Sequence, residues 1–67
     1  MNIAKVKGIR AELGFNQTQM AEALGMPLIT YSKKERGENE FSIDNLKAIM
    51  SLATAHNIKV TIEELIA

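Results

Sequence analysis

The sequence predicts an all-α fold, with five helices packed into one compact domain that spans residues 1–67. Three observations carry this. Apolar residues recur mostly at spacings of three and four rather than two. A capping residue flanked by a pair of large apolar residues occurs at Asn16, at Ser42 and at Thr61. A residue able to take a left-handed turn, Gly14, Gly25, Gly37 or Asn57, stands where each of the first four helices should stop.

The first helix is expected over about residues 2–13, where Ile3, Val6, Ile9 and Leu13 share one face. Gly8 inside it should cost about 1 kcal/mol against alanine, and its presence suggests a close backbone approach. The second helix opens at Asn16, with Gln19 three residues on and Phe15 and Met20 as its apolar staple, and runs to Leu24. Pro27 sets the start of the third, because proline suits a first turn and the residue before it is pushed out of helical geometry. On that helix Tyr31, Lys34 and Glu35 fall to one side and Leu28, Ile29, Ser32, Lys33 and Arg36 to the other. Ser42 caps a fourth helix reaching His56, with Ile43, Leu46, Ile49, Met50 and Ala53 as the expected buried stripe and Asp44 in its first turn. Thr61 and Glu64 form a capping box for a last helix, flanked by Val60 and Leu65. Ile58, Val60 and Ile62 also alternate with period two, so a short strand at 58–62 competes with a helix lead-in.

Composition narrows the function. With 46% apolar and 24% charged residues the chain is neither disordered nor membrane-spanning in character. It has no cysteine and one histidine, so neither disulfides nor a Cys/His zinc site can staple it, and no metal or other cofactor is expected. No signal-peptide pattern opens the sequence, which points to a cytoplasmic location. Formal net charge is zero, yet residues 1–36 carry a surplus of three positive charges and the remainder an equal deficit. Such asymmetry suits one face for a polyanion and another for a partner, although an ordinary solvated surface gives the same count. Ser32, Asp44 and His56 include residue types a hydrolase needs, but no nucleophile elbow or oxyanion hole accompanies them, and an enzyme is not expected.

Two short helices joined by a glycine turn inside a larger helical cluster form the architecture that sets a recognition helix into the major groove of DNA. The residues strengthen the match: Gln17-Thr-Gln-Met-Ala-Glu-Ala-Leu-Gly25, then Tyr31-Ser-Lys-Lys-Glu-Arg-Gly37. This resembles the Xre-type helix-turn-helix family, which includes phage repressors and Cro proteins, and the resemblance runs over about residues 3–66. It implies a lambda-repressor-like domain with its helix-turn-helix at about 17–36, and a salt bridge from Arg10 to Glu35 pinning the first helix to the third. It also implies that Asn16 and Gln17 meet phosphates, that Leu28, Ile29, Ser32 and Lys33 face base edges, and that Arg36 lies beside the backbone.

The chain departs from the family pattern in several places. Met26-Pro27 offers no side-chain oxygen to cap the third helix, so its first-turn N–H groups must find water or phosphate. Lys34 stands where relatives commonly carry an apolar residue, so its stem should lie along the core and its ammonium reach solvent. Helix four is about one turn longer than usual. The acidic Glu38-Asn39-Glu40 loop replaces a commonly basic one and should weaken nonspecific binding.

The expected partner is a double-stranded DNA operator, with no small-molecule ligand and no membrane. A homodimer through the C-terminal segment is expected, because Ile58, Val60, Ile62, Leu65 and Ile66 put more apolar surface there than one small core readily covers. With no further domain after residue 67, Cro-like control by binding alone is expected over an inducible repressor. A protein-interaction module on the same fold, such as an antirepressor or antitoxin, is the alternative, and zero net charge favours it.

Overall fold

A computed structural model describes all of residues 1–67, with helices α1 (Ile3–Leu13), α2 (Gln17–Ala23), α3 (Leu28–Glu35), α4 (Ile43–Ala55) and α5 (Ile62–Ile66). Side-chain caps place the starts of four of them. Asn2 accepts the Lys5 N–H at 3.0 Å, and full capping boxes join Asn16 to Gln19, Ser42 to Asn45 and Thr61 to Glu64. Alone among the five, α3 has no side-chain cap, since Pro27 occupies that position. Each of the expected stops takes a left-handed backbone, and Gly25 at φ 68° makes the turn between α2 and α3. There a side chain would be strained.

All five helices feed one core. Val6 and Ile9 of α1, Met20 and Ala21 of α2, Tyr31 of α3, Leu46, Ile49 and Ala53 of α4 and Leu65 of α5 close around Phe41, which enters from the loop before α4. Aromatic edges lock two corners. Tyr31 and Phe41 meet at 6.0 Å between ring centroids, and Phe15 at the α1–α2 corner meets His56, the C-cap of α4, at 6.1 Å.

Two expectations need correction, and one open alternative is decided. Ile43 does not belong to the buried stripe of α4, being 53% exposed. At about 100° per residue it lies roughly 90° from the centre of the face formed by Leu46, Ile49 and Ala53. Phe41, one residue before the cap, takes the core position instead. Gly8 marks no close approach, for nothing lies within 4 Å of where its Cβ would stand. Residues 58–61 form no strand, and the chain runs irregularly from α4 into α5. The Lys34 ammonium reaches the surface, where it also donates to the Glu40 carbonyl at 2.8 Å and ties the end of α3 to the following loop.

The C-terminal segment is spent largely inside the protein. Leu65 is fully buried, and Ile58, Val60 and Ile62 pack half-buried against the core, leaving Ile66 as the large apolar residue exposed at this end. The Asn2 N–H donates to the Leu65 carbonyl at 2.8 Å, and Lys5 pairs with Glu64 at 3.2 Å. So α5 clasps α1. Truncating a fully buried leucine costs about 2–5 kcal/mol, a large share of the stability of so small a domain. Leu65→Ala should therefore lower the urea midpoint sharply, whereas Lys59→Ala, at an exposed loop position, should stay within about 0.5 kcal/mol of wild type.

Candidate nucleic-acid interface

The site begins with a buried carboxylate. Glu35 is 2% exposed at the end of α3, and an ionised carboxylate there is tolerable only if its lone pairs are met. They are met by three helices. Its Oε2 accepts from Arg10 Nε at 2.8 Å and from the Tyr31 hydroxyl, and its Oε1 accepts from Arg10 Nη2 at 3.1 Å and Gln17 Nε2 at 3.0 Å. Arg10 spends its remaining arm on the Phe15 carbonyl at 3.0 Å, holding the α1–α2 corner. Burial alone would raise the Glu35 carboxyl, but the hydrogen bonds from Arg10, Tyr31 and Gln17 outweigh it and hold it below the ordinary carboxylate range. The Arg10 guanidinium is raised in turn, chiefly by its hydrogen bond to Glu35, and burial pushes the Tyr31 phenol far up.

This network fixes how α3 is turned. With Tyr31 and Glu35 inward, the opposite side carries Leu28 at 43% and Ile29 at 70% exposure, followed by half-buried Ser32 and exposed Lys33 and Arg36. The backbone N–H groups of Leu28, Ile29 and Thr30 have no acceptor within the chain. The first turn of α3 therefore presents three donors beside an apolar pair, and its last turn presents cations. Lys33 makes no ion pair, while Arg36 pairs with Glu38 and donates to Ser32 Oγ at 3.2 Å.

At the start of α2, exposed Asn16 accepts the Gln19 N–H at 2.8 Å, so its side-chain oxygen serves as the cap and its amide N–H groups stay free. Gln17 sits closer in. Its amide donates to Glu35, which leaves the side-chain oxygen and the backbone N–H as its outward groups.

Two features of the site escaped the sequence reading. Tyr31 and Gln17 join the Arg10–Glu35 pair, and the signal available was the four-residue spacing that puts Tyr31 and Glu35 on one face of α3. The Arg36–Glu38 pair spans the helix end, where helical spacing gives no guide. No group of histidine and acidic residues is arranged to hold a metal ion, and no helix is long and apolar enough to cross a membrane.

A family model described as helix-turn-helix matches residues 6–52, from the middle of α1 through most of α4. The chain belongs to the Xre/Cro-like helix-turn-helix family. It is accordingly a DNA-binding transcription regulator of that type. No curated protein and no solved structure matches the chain significantly.

In this helix-turn-helix domain Arg10 is partly open, at 22%, and Glu35 keeps two other donors when Arg10 is lost. Arg10→Met should therefore fall at the low end of the range for a broken buried pair, about 3 kcal/mol by chemical denaturation. Arg10→Met combined with Glu35→Leu should recover much of that. The depressed Glu35 carboxyl adds stability that is complete above the unfolded value of about 4.3 and is lost as pH falls through its lower folded value. Unfolding free energy measured from pH 7 down to pH 2 should decline over this window more steeply in wild type than in the double variant.

Proposed function

We propose that the protein occupies a DNA operator as a symmetric dimer, with α3 of each copy in a major groove, and regulates transcription by excluding polymerase from the site. The observation that carries this reading is the exposed Leu28–Ile29 pair at the N-terminal end of α3, followed along the same face by Ser32, Lys33 and Arg36. An N-terminal recognition-helix face meets base edges in such docking. Lacking amide side chains, it reads thymine methyls through Leu28 and Ile29 and leans on DNA shape. Ser32 and Lys33 follow along the groove. Arg36, Asn16 and the Gln17 backbone hold phosphates, and the uncapped N–H groups of α3 face the polyanion.

A monomer has few phosphate contacts, so two linked half-sites about 34 Å apart are needed for tight binding. With Leu65 and its neighbours committed to the core, the pairing surface is what remains exposed at this end of the molecule: Ile66 with Ile43 and Met1, which border a shallow groove floored by Leu46. The relevant compartment is the one that holds the DNA, the cytoplasm of a cell carrying a phage or prophage. One observation favours a protein partner instead: Arg36 is already neutralised from within by Glu38, which suits an antirepressor or antitoxin surface.

Titration with random-sequence duplex separates the two, since a DNA binder should lose about threefold in affinity for every phosphate neutralised by a lysine or arginine between 50 and 200 mM salt. Salt-independent or absent binding rejects the DNA reading. On a selected operator, replacing thymines by uracil should weaken binding at one or two positions, and uniform affinity at every position rejects the methyl readout. Sedimentation of the protein on a palindromic duplex should give two copies per site; saturation by one copy at nanomolar concentration rejects the dimer.

A further inference from the structure

The Arg36–Glu38 pair is built rather than incidental. The Glu38 N–H donates to the Lys33 carbonyl at 2.9 Å, folding the chain after Gly37 back against the last turn of α3. That places the Glu38 carboxylate on Arg36 Nε at 2.5 Å, while Arg36 Nη1 reaches Ser32 Oγ on the previous turn. A carboxylate oxygen offers a guanidinium the same charge-assisted acceptor that a phosphate oxygen does. Glu38 therefore makes to Arg36 the kind of contact that a phosphate oxygen can make.

We propose that Glu38 is an intramolecular substitute for phosphate on Arg36, which DNA must displace, and that it thereby sets how tightly the protein holds duplexes of any sequence. This rests on the reading of Arg36 as a phosphate contact. Exposure makes the exchange feasible: both side chains are more than half open to solvent, and such pairs add little to stability. The Arg10–Glu35 pair, buried and saturated, does not exchange. Arg36 holds Glu38 below the ordinary carboxylate range, so the carboxylate stays charged wherever the protein binds DNA. A cation already neutralised from within adds less to the counterions released when it meets a phosphate, so Glu38 suppresses about one contact's worth of salt dependence. Glu40 supplies an internal comparison. It carries the same charge two residues on, but its carboxylate makes no ion pair and its carbonyl takes Lys34.

The test is affinity for random-sequence duplex from 50 to 200 mM salt for wild type, Glu38→Gln, Glu40→Gln, Arg36→Gln and Arg36→Gln with Glu38→Gln. Glu38→Gln should bind more tightly at 50 mM and steepen the slope of log affinity against log salt by about 0.9, an extra loss of about threefold across this range. Glu40→Gln should do distinctly less. With Arg36 replaced, adding Glu38→Gln should leave the slope where Arg36→Gln alone puts it. An unchanged slope in Glu38→Gln, or equal effects with and without Arg36, overturns the proposal and leaves the DNA reading standing. Absence of salt-dependent binding by wild type overturns both.

Discussion

An ionised carboxylate inside a small apolar core imposes a geometric demand, and the position of every helix that touches Glu35 answers it. Four donors from Arg10, Gln17 and Tyr31 converge on its two oxygens, and no buried side-chain polar atom is left without a partner. Hydrophobic contacts alone allow helices to rotate and slide at modest cost, because an apolar face is broad and non-directional. Bidentate hydrogen bonds from Arg10 do not allow this. They set α1 against α3, the bond from Gln17 sets α2, and the rotation of α3 that results is what turns Leu28 and Ile29 outward.

The two ends of α3 then have opposite characters. At its start, proline in place of a side-chain cap leaves three N–H groups unclaimed next to an apolar pair. At its end, Glu35 is buried and Arg36, one residue on, is exposed and already satisfied by Glu38. One arginine is thus structural and permanently paired, the other peripheral and exchangeable, and the difference between them is burial. Residues 1–36 carry a surplus of three positive charges, and the acidic loop damps it locally where Glu38 meets Arg36.

The ends of the chain are interdependent. Asn2 caps α1 with its side chain while its own N–H holds Leu65, and Glu64 both closes the capping box of α5 and pairs with Lys5. A five-residue helix cannot persist alone, so α5 exists because Leu65 is buried and these contacts fasten it. The apolar surplus near residue 60 is therefore mostly core, and the surface it leaves is the smaller patch of Met1, Ile43 and Ile66.

Much of this was legible locally. Caps, staples and left-handed stops act over four or five residues, so Asn16, Gly25, Ser42, Asn57 and Thr61 located helix boundaries from sequence alone, and the family resemblance supplied the Arg10–Glu35 pairing. The face of α3 was readable for the same reason, since Tyr31 and Glu35 share a side by helical spacing. What the sequence left open required contacts between distant segments. Whether residues 58–62 paired as a strand or led into a helix depended on Leu65 finding the core. Whether Gln17 was free or bound depended on a carboxylate 18 residues away. Local rules fix backbone conformation because they involve neighbouring atoms; which side chains are consumed inside the fold, and which are left exposed, was decided only when the helices closed around Glu35.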